Sequence, residues 1–279
     1  MIPLDVVRRR LAAVAALGLI LASCGGASEN LAIVGSSPST IGIGEQRLVM
    51  IEVGADDRVL GGPGDDATAT FEGPDGQTQT VTLDWVWSIP DARGFYIARP
   101  TFDEPGQWNV AISSPDRGTT EQTPFTVNAD VPLPEVGEAA PRSETRTIPD
   151  SDLSEITTDP DPRPALYEMT VAEAVTNGTP ALITFATPAF CQTAVCGPTL
   201  EVVKEVADRR SGFDAVHVEV FENIESDGAG QLVEVPAVTE WGLPSEPWIF
   251  VVDAEGVVTA RFEGAVSADE LIEALDATG

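Results

Sequence analysis

A chain of 279 residues with 45 Asp and Glu against 15 Lys and Arg carries a formal charge of −30. That surplus of negative charge repels phosphate backbones and anionic headgroups, so nucleic acid is excluded as a direct ligand. The length suits two domains, and three cysteines with one histidine confine metal and thiol chemistry to few positions.

The first element in chain order is a targeting segment. Arg8, Arg9 and Arg10 precede an apolar run from Leu11 to Leu21, a positive start followed by a hydrophobic stretch too short to span a bilayer stably. Leu21-Ala22-Ser23-Cys24 before Gly25-Gly26 resembles the lipobox of bacterial lipoproteins. The resemblance implies a signal peptide over 1–23 and diacylglycerol on Cys24, anchoring the chain at the extracytoplasmic face of the cell membrane. Cysteine arithmetic agrees, because lipidation of Cys24 leaves Cys191 and Cys196 as an even pair.

Residues 24–44 are rich in Ser, Gly and Pro and read as a flexible tether. Over 45–128, alternating runs at 48–53, 67–71, 79–87, 95–98, 108–112 and 124–127 are separated by turn residues such as Gly61-Gly62-Pro63-Gly64. Six or seven short strands of this kind predict an immunoglobulin-like β-sandwich. In the third run Val81, Leu83, Trp85 and Trp87 share one face and are assigned to its core. Asp56, Asp57, Asp65 and Asp66 lack the spacing of a calcium loop and read as solvated surface.

Residues 129–165, with many prolines, acids, Ser and Thr, predict an extended, semi-rigid linker. From 166 to 279 the pattern changes to alternating helices and strands. Thr170 with Glu173 forms a capping box, Ala181 to Ala186 is an apolar strand, and Leu200, Val203 and Val206 recur at helical spacing after Pro198. Ala215 to Phe221 is the next strand and Pro236 to Trp241 a short helix. Asp253-Ala254-Glu255-Gly256 turns the strand Trp248 to Val252 back into Val257 to Phe262. Ser267 with Glu270 caps a last helix. The order α-β-α-β-α-β-β-α predicts two β-α-β crossings, a hairpin and a closing helix, giving a mixed four-stranded sheet with helices on both faces.

With Phe185-Ala186-Thr187-Pro188-Ala189-Phe190-Cys191 leaving the first strand and Cys196-Gly197-Pro198 entering the next helix, 166–279 resembles the thioredoxin family. The resemblance implies an α/β thioredoxin-like domain, a redox site where the first strand meets the second helix, and Pro247 as a cis-proline facing that site. On one straight helix, Cys191 and Cys196 would have Cα atoms roughly 8 Å apart, beyond the ~7 Å limit for a disulfide. A bond therefore requires a turn over Gln192 to Val195, with the helix starting at Pro198 and Cys196 at or beside its N-cap. There the helix dipole lowers a thiol pKa. Cys196 is the expected stabilised thiolate and Cys191 the expected attacker.

Several departures from the family pattern matter. The usual Cys-Gly-Pro-Cys is replaced by Cys-x4-Cys-Gly-Pro, and the family's buried acid falls near Thr184, which is no carboxylate. Thr187 to Gly197 also resembles a peroxiredoxin site, yet the arginine that chemistry needs is replaced by Ser245-Glu246-Pro247. A copper site would draw on His217, which fits better as a plain strand residue, so no metal and no cofactor are expected. The readings left open are thiol-disulfide exchange with an extracytoplasmic protein partner and a non-enzymatic binding lipoprotein with a structural disulfide. Thiol peroxidase activity ranks below both.

Overall fold

The computed structural model describes residues 30–89, 91–191, 194–224 and 231–278. The expected signal peptide, Cys24 and the start of the expected tether lie outside the described residues. The described part is mostly β-sheet, and among its residues no helix is long and apolar enough to cross a membrane.

The first unit is a sandwich of two antiparallel sheets. In one, β1 (Leu31–Val34), β3 (Leu48–Val53), β8 (Arg93–Ala98) and β7 (Asp84–Ile89) are neighbours in that order, with β4 (Val59–Leu60) on β3. In the other, β11 (Gly118–Thr119), β10 (Gly106–Ser114), β5 (Thr68–Glu72) and β6 (Thr78–Thr82) follow one another, with β12 (Thr123–Val127) on β10. β2 (Gly44–Glu45) and β9 (Thr101–Phe102) form a separate ribbon. The two-residue period of a strand aims Leu48, Met50, Tyr96, Phe71, Trp108, Val110 and Ile112 into one core between the sheets.

Three expectations change here. The sandwich begins at β1, paired with β3, and Ala32 and Ile41 are buried, so residues 31–44 are part of the fold and not a free tether. The third apolar run is two strands, because the chain passes from one sheet to the other at Leu83. The inward face keeps its phase across the switch: Leu83 lies in the sandwich core with Val81 and Trp85 packed against it, as expected, while Val86 is buried on the opposite face against Ala265 and Trp87 is half-buried. Asp65 is not simply solvated: it accepts from the Gly62 amide at 3.1 Å, from Tyr96 Oη, and from Arg117 at 2.9 Å. Arg117 also pairs at 3.0 Å with Glu52, whose side chain is 1% exposed.

The Pro-rich stretch is packed as well. Leu133 and Ala140 enter a core with Trp241, Ala139 bridges Val257, and the Trp241 indole donates to Ser143 at 3.2 Å. Gly137 and Ala140 amides donate to Val258 and Gly256 carbonyls at 2.8 and 2.9 Å. Composition suggested a linker, but its scattered apolar residues dock on the second unit. α1 (Leu153–Ile156) ends in the buried Ile156.

The second unit follows as α2 (Val171–Ala174), β13 (Ala181–Phe185), α3 (Cys196–Arg209), β14 (Asp214–Val218), α4 (Pro236–Glu240), β15 (Trp248–Val252), β16 (Val258–Glu263) and α5 (Ala268–Asp276). Both expected capping boxes, Thr170 with Glu173 and Ser267 with Glu270, are formed. The sheet order is β14-β13-β15-β16. β13 and β14 are parallel, whereas β15 is antiparallel to β13. Only the first of the two expected β-α-β crossings therefore joins parallel strands. Along β13, Ile183 and Phe185 face α2 and α4, while Leu182 faces α3 and α5, which puts helices on both faces.

The two units are in contact. Val49, Val86 and Ile97 on the outer face of the first sheet cluster with Ala265. Arg47 pairs with Glu270 at 3.0 Å and donates to the Ala265 carbonyl at 2.7 Å, and Arg99 reaches the same carboxylate at 2.7 Å. Burial would raise the Glu270 carboxyl, but the Arg47 charge and hydrogen bonds outweigh it and hold the group low. Glu263 accepts from the Ser37 amide at 3.0 Å and from Ser245 at 2.8 Å.

Candidate functional site

The site is built where β13 hands the chain to α3. After Phe185 the backbone turns through Thr187 to Phe190, with the Phe190 amide on the Thr187 carbonyl at 3.3 Å, and reaches Cys191. Cys191 and Cys196 form a disulfide with Cα atoms 6.0 Å apart, closer than a straight helix would hold them. The intervening turn includes Ala194 at φ 57. Gln192 and Thr193 lie outside the described residues.

α3 starts at Cys196, two residues before the expected Pro198. Cys196 is fully buried, and Cys191 is only partly so. The amide of a first helical residue has no acceptor within its helix. Here the Cys196 N–H donates to Cys191 Sγ at 3.3 Å. Helix-terminal stabilisation therefore reaches the accessible sulfur, Cys191, whereas the sequence pointed to Cys196.

Glu246–Pro247 is a cis peptide bond, as the family resemblance implied, and Pro247 is buried with its carbonyl accepting from Gly264 at 3.0 Å. The residue beside it is the one sequence reasoning discounted. A carboxylate oxygen of Glu246 and the two sulfurs all lie within 4.8 Å of one another. Burial pushes the Glu246 carboxyl up to about 7; Thr187 partly offsets this, and the Glu219 charge adds to it. Glu246 Oε2 is buried without a hydrogen-bond partner.

Near the half-buried Glu246 stands a second acid, Glu219, which is buried. Glu219 follows β14 and accepts from the Thr158 amide at 2.6 Å and hydroxyl at 3.0 Å, yet its Oε1 has no partner. Burial raises it too, against hydrogen bonds from Thr187 and Thr158. Thr158 belongs to the supposed linker, and its hydroxyl also accepts from the Ala189 amide at 3.1 Å, tying that segment to the site loop. A cavity of about 230 Å³ adjoins Glu219, lined also by His217, Phe221 and Glu222.

His217 is a strand histidine, as the sequence suggested. Its ring nitrogens meet Tyr167 Oη at 2.7 Å and the Ala186 carbonyl at 2.9 Å. Complete burial holds it neutral, with its pKa lowered to about 4. Thr184 is a fully buried strand residue whose hydroxyl has no partner. The carboxyl that stands beside the sulfurs comes instead from Glu246.

The Glu246 shift has a measurable consequence. Its folded value of about 7 exceeds the ordinary 4.5, so the stability it permits is full below 4.5 and is lost as pH rises to about 7. Glu246→Gln does not titrate. The stability of Glu246→Gln minus that of the wild type, from urea midpoints of the oxidised proteins, should rise between pH 4.5 and 7 and stay level above. A flat difference across that window would refute the buried-acid assignment.

No family model matches the chain, and no curated protein matches it. Among solved structures it is similar to the filamin domain of Lin-41, at 15% identity and a TM-score of 0.23, over 37% of this chain and 94% of that one. It is also similar to an alpha-2-macroglobulin from Salmonella, reacted with methylamine, at 13% identity and a TM-score of 0.27, over 87% of this chain and 15% of that one. Likenesses at these scores add nothing to the sheets themselves, and the description of the fold rests on the latter.

Proposed function

We propose that the protein is a membrane-tethered, extracytoplasmic thiol-disulfide protein, lipid-anchored through Cys24, whose C-terminal unit is a thioredoxin-like domain exchanging its Cys191–Cys196 disulfide with a protein partner. One observation carries the reading: a partly exposed cysteine is bonded to a fully buried one at the start of α3, and a half-buried carboxyl stands beside both sulfurs. That is the asymmetry exchange needs. The partner reaches one sulfur, and the other remains inside to be the leaving group or the resolving thiol. The strand order β14-β13-β15-β16 and cis-Pro247 support the domain assignment. Support for the anchor comes from the sequence around Cys24. Glu246 occupies the place where a peroxidase would need an arginine, which counts against peroxide chemistry.

Equilibration of the soluble chain from residue 24 against thiol buffers, with alkylation readout, should give a reduction potential of about −120 to −270 mV, as in working redox proteins. A value below about −300 mV would make the disulfide a structural staple and favour the non-enzymatic binding reading. Cys196→Ser should accumulate mixed disulfides through Cys191, and Cys191→Ser should not, because Cys196 is buried.

A further inference from the structure

We propose that Glu246 is the proton carrier of the Cys191–Cys196 exchange, and that Glu219 and the cavity behind it connect that proton to solvent. The inference rests on the exchange reading above.

Burial of Cys196 creates the need. When a partner opens the disulfide at the accessible Cys191, the electron pair of the broken bond stays on a sulfur that is 0% exposed. A thiolate there is desolvated and out of reach of bulk acid, so its proton must come from inside the protein. Glu246 is the carboxyl within 4.8 Å of that sulfur. Thr187 bonds the carboxyl through its amide and its hydroxyl, but Oε2 is left without a partner.

The neighbouring charges leave the carboxyl free to act. From the end of β14, Glu219 faces it with a like charge. His217, on β14, is neutral and bonded at both nitrogens. Lys204, from α3, is closed off by Asp159 at 2.6 Å, Glu201 at 2.7 Å and the Asp161 carbonyl at 2.8 Å. Among the described residues no cation thus holds Glu246 in the ionised form, and burial keeps it near neutral pH, where giving and taking a proton are both easy. Thr187 touches both acids. The unpartnered Glu219 Oε1 adjoins a cavity whose roughly 230 Å³ admits several waters.

The step balances as follows. A partner thiolate attacks Cys191 Sγ, the S–S bond breaks, and its electron pair remains on Cys196 Sγ. The Glu246 carboxyl proton moves to that sulfur. The partner's second thiol then gives its proton to the Glu246 carboxylate, and its sulfur attacks the partner sulfur of the mixed disulfide. Cys191 leaves as a thiolate and is protonated by solvent. The partner loses two electrons and two protons, and the cysteine pair gains both. Between partners, Glu219 and the cavity waters restore any proton Glu246 has lost.

The test follows reduction of the full mature chain by dithiothreitol from pH 5 to 9, with rates expressed per reagent thiolate. In the wild type the corrected rate should fall through an inflection near 7. Glu246→Gln should lose that inflection and slow at least about tenfold at pH 6, while Glu246→Asp restores part of both. Glu219→Gln, by removing the like charge, should move the inflection to lower pH. A wild-type profile in Glu246→Gln, with exchange otherwise normal, overturns the inference but not the exchange reading. A wild type that dithiothreitol hardly reduces, with a potential below about −300 mV, overturns both. The infrared carbonyl band of a protonated carboxyl in the oxidised wild type needs no variant to fold. It should be present at pH 6 and lost through about 7, and its absence at pH 6 would also overturn the inference.

Discussion

Arg117→Met is expected to destabilise the protein by about 3–5 kcal/mol, the usual cost of removing one partner from a buried ion pair. Arg117 bonds Glu52 at 3.0 Å, Asp65 at 2.9 Å and Tyr96 Oη at 2.8 Å, joining the two sheets of the sandwich at one edge. Glu52, its side chain 1% exposed, would keep its bond from Asn30 at 2.9 Å but lose the cation that pairs with it. The urea midpoint should fall with little change in m-value. Removing both charges in Arg117→Met with Glu52→Leu should recover most of the loss, because an apolar pair escapes the desolvation penalty. The double-mutant cycle then isolates the coupling. A single-variant cost below about 1 kcal/mol would make this an ordinary surface pair and the argument would fail.

Most strands were legible because the two-residue period is local. Leu48, Met50 and Glu52 alternate with Val49, Ile51 and Val53 whatever else the chain does. The boundary at Leu83 was not, because the alternation runs through it unbroken: Val81 and Trp85 lie on different sheets yet pack on the same core. The outer face of β3 was hidden for a related reason: Val49 and Ile97 are covered by Ala265, from the other unit. The apolar run Leu48-Val49-Met50-Ile51 fits a strand buried on both faces, but it does not say what covers the second one.

At the site, the two cysteines, their bond and Pro247 were readable from spacing and from the family resemblance. The acids were not. Glu246 was weighed only as the wrong charge for an arginine, and the search for a buried carboxyl stopped at Thr184. A signal was available, since a residue next to a proline that faces the disulfide has its own side chain near the sulfurs. Glu219, in an alternating Val-Glu-Val run, carries no local mark of burial. Thr158 and Thr187 hold it only once residues some thirty to sixty positions apart have been brought together.

The stretch 129–165 is where composition misled most, and Trp241→Ala tests its role. Trp241 is 0% exposed, packs on Phe250 and Phe185 with ring centroids 4.6 and 5.2 Å away, and anchors Ser143 through its indole N–H. Truncation should cost about 3–5 kcal/mol. A free linker would let trypsin cut at the exposed Arg142 and Arg146 at the same rate in wild type and variant. A packed one should resist in the wild type and be cleaved much faster once Trp241 is gone, since cleavage then tracks local opening. Gly242→Ala approaches the same contact from the backbone. Gly242 has φ +62, and an added Cβ would stand 2.0 Å from the Pro132 carbonyl oxygen, so one of the two segments must move. Both variants should therefore expose the same two arginines. Rapid cutting of the wild type there would show that the segment is a linker after all, and it would remove Thr158 from the support of Glu219.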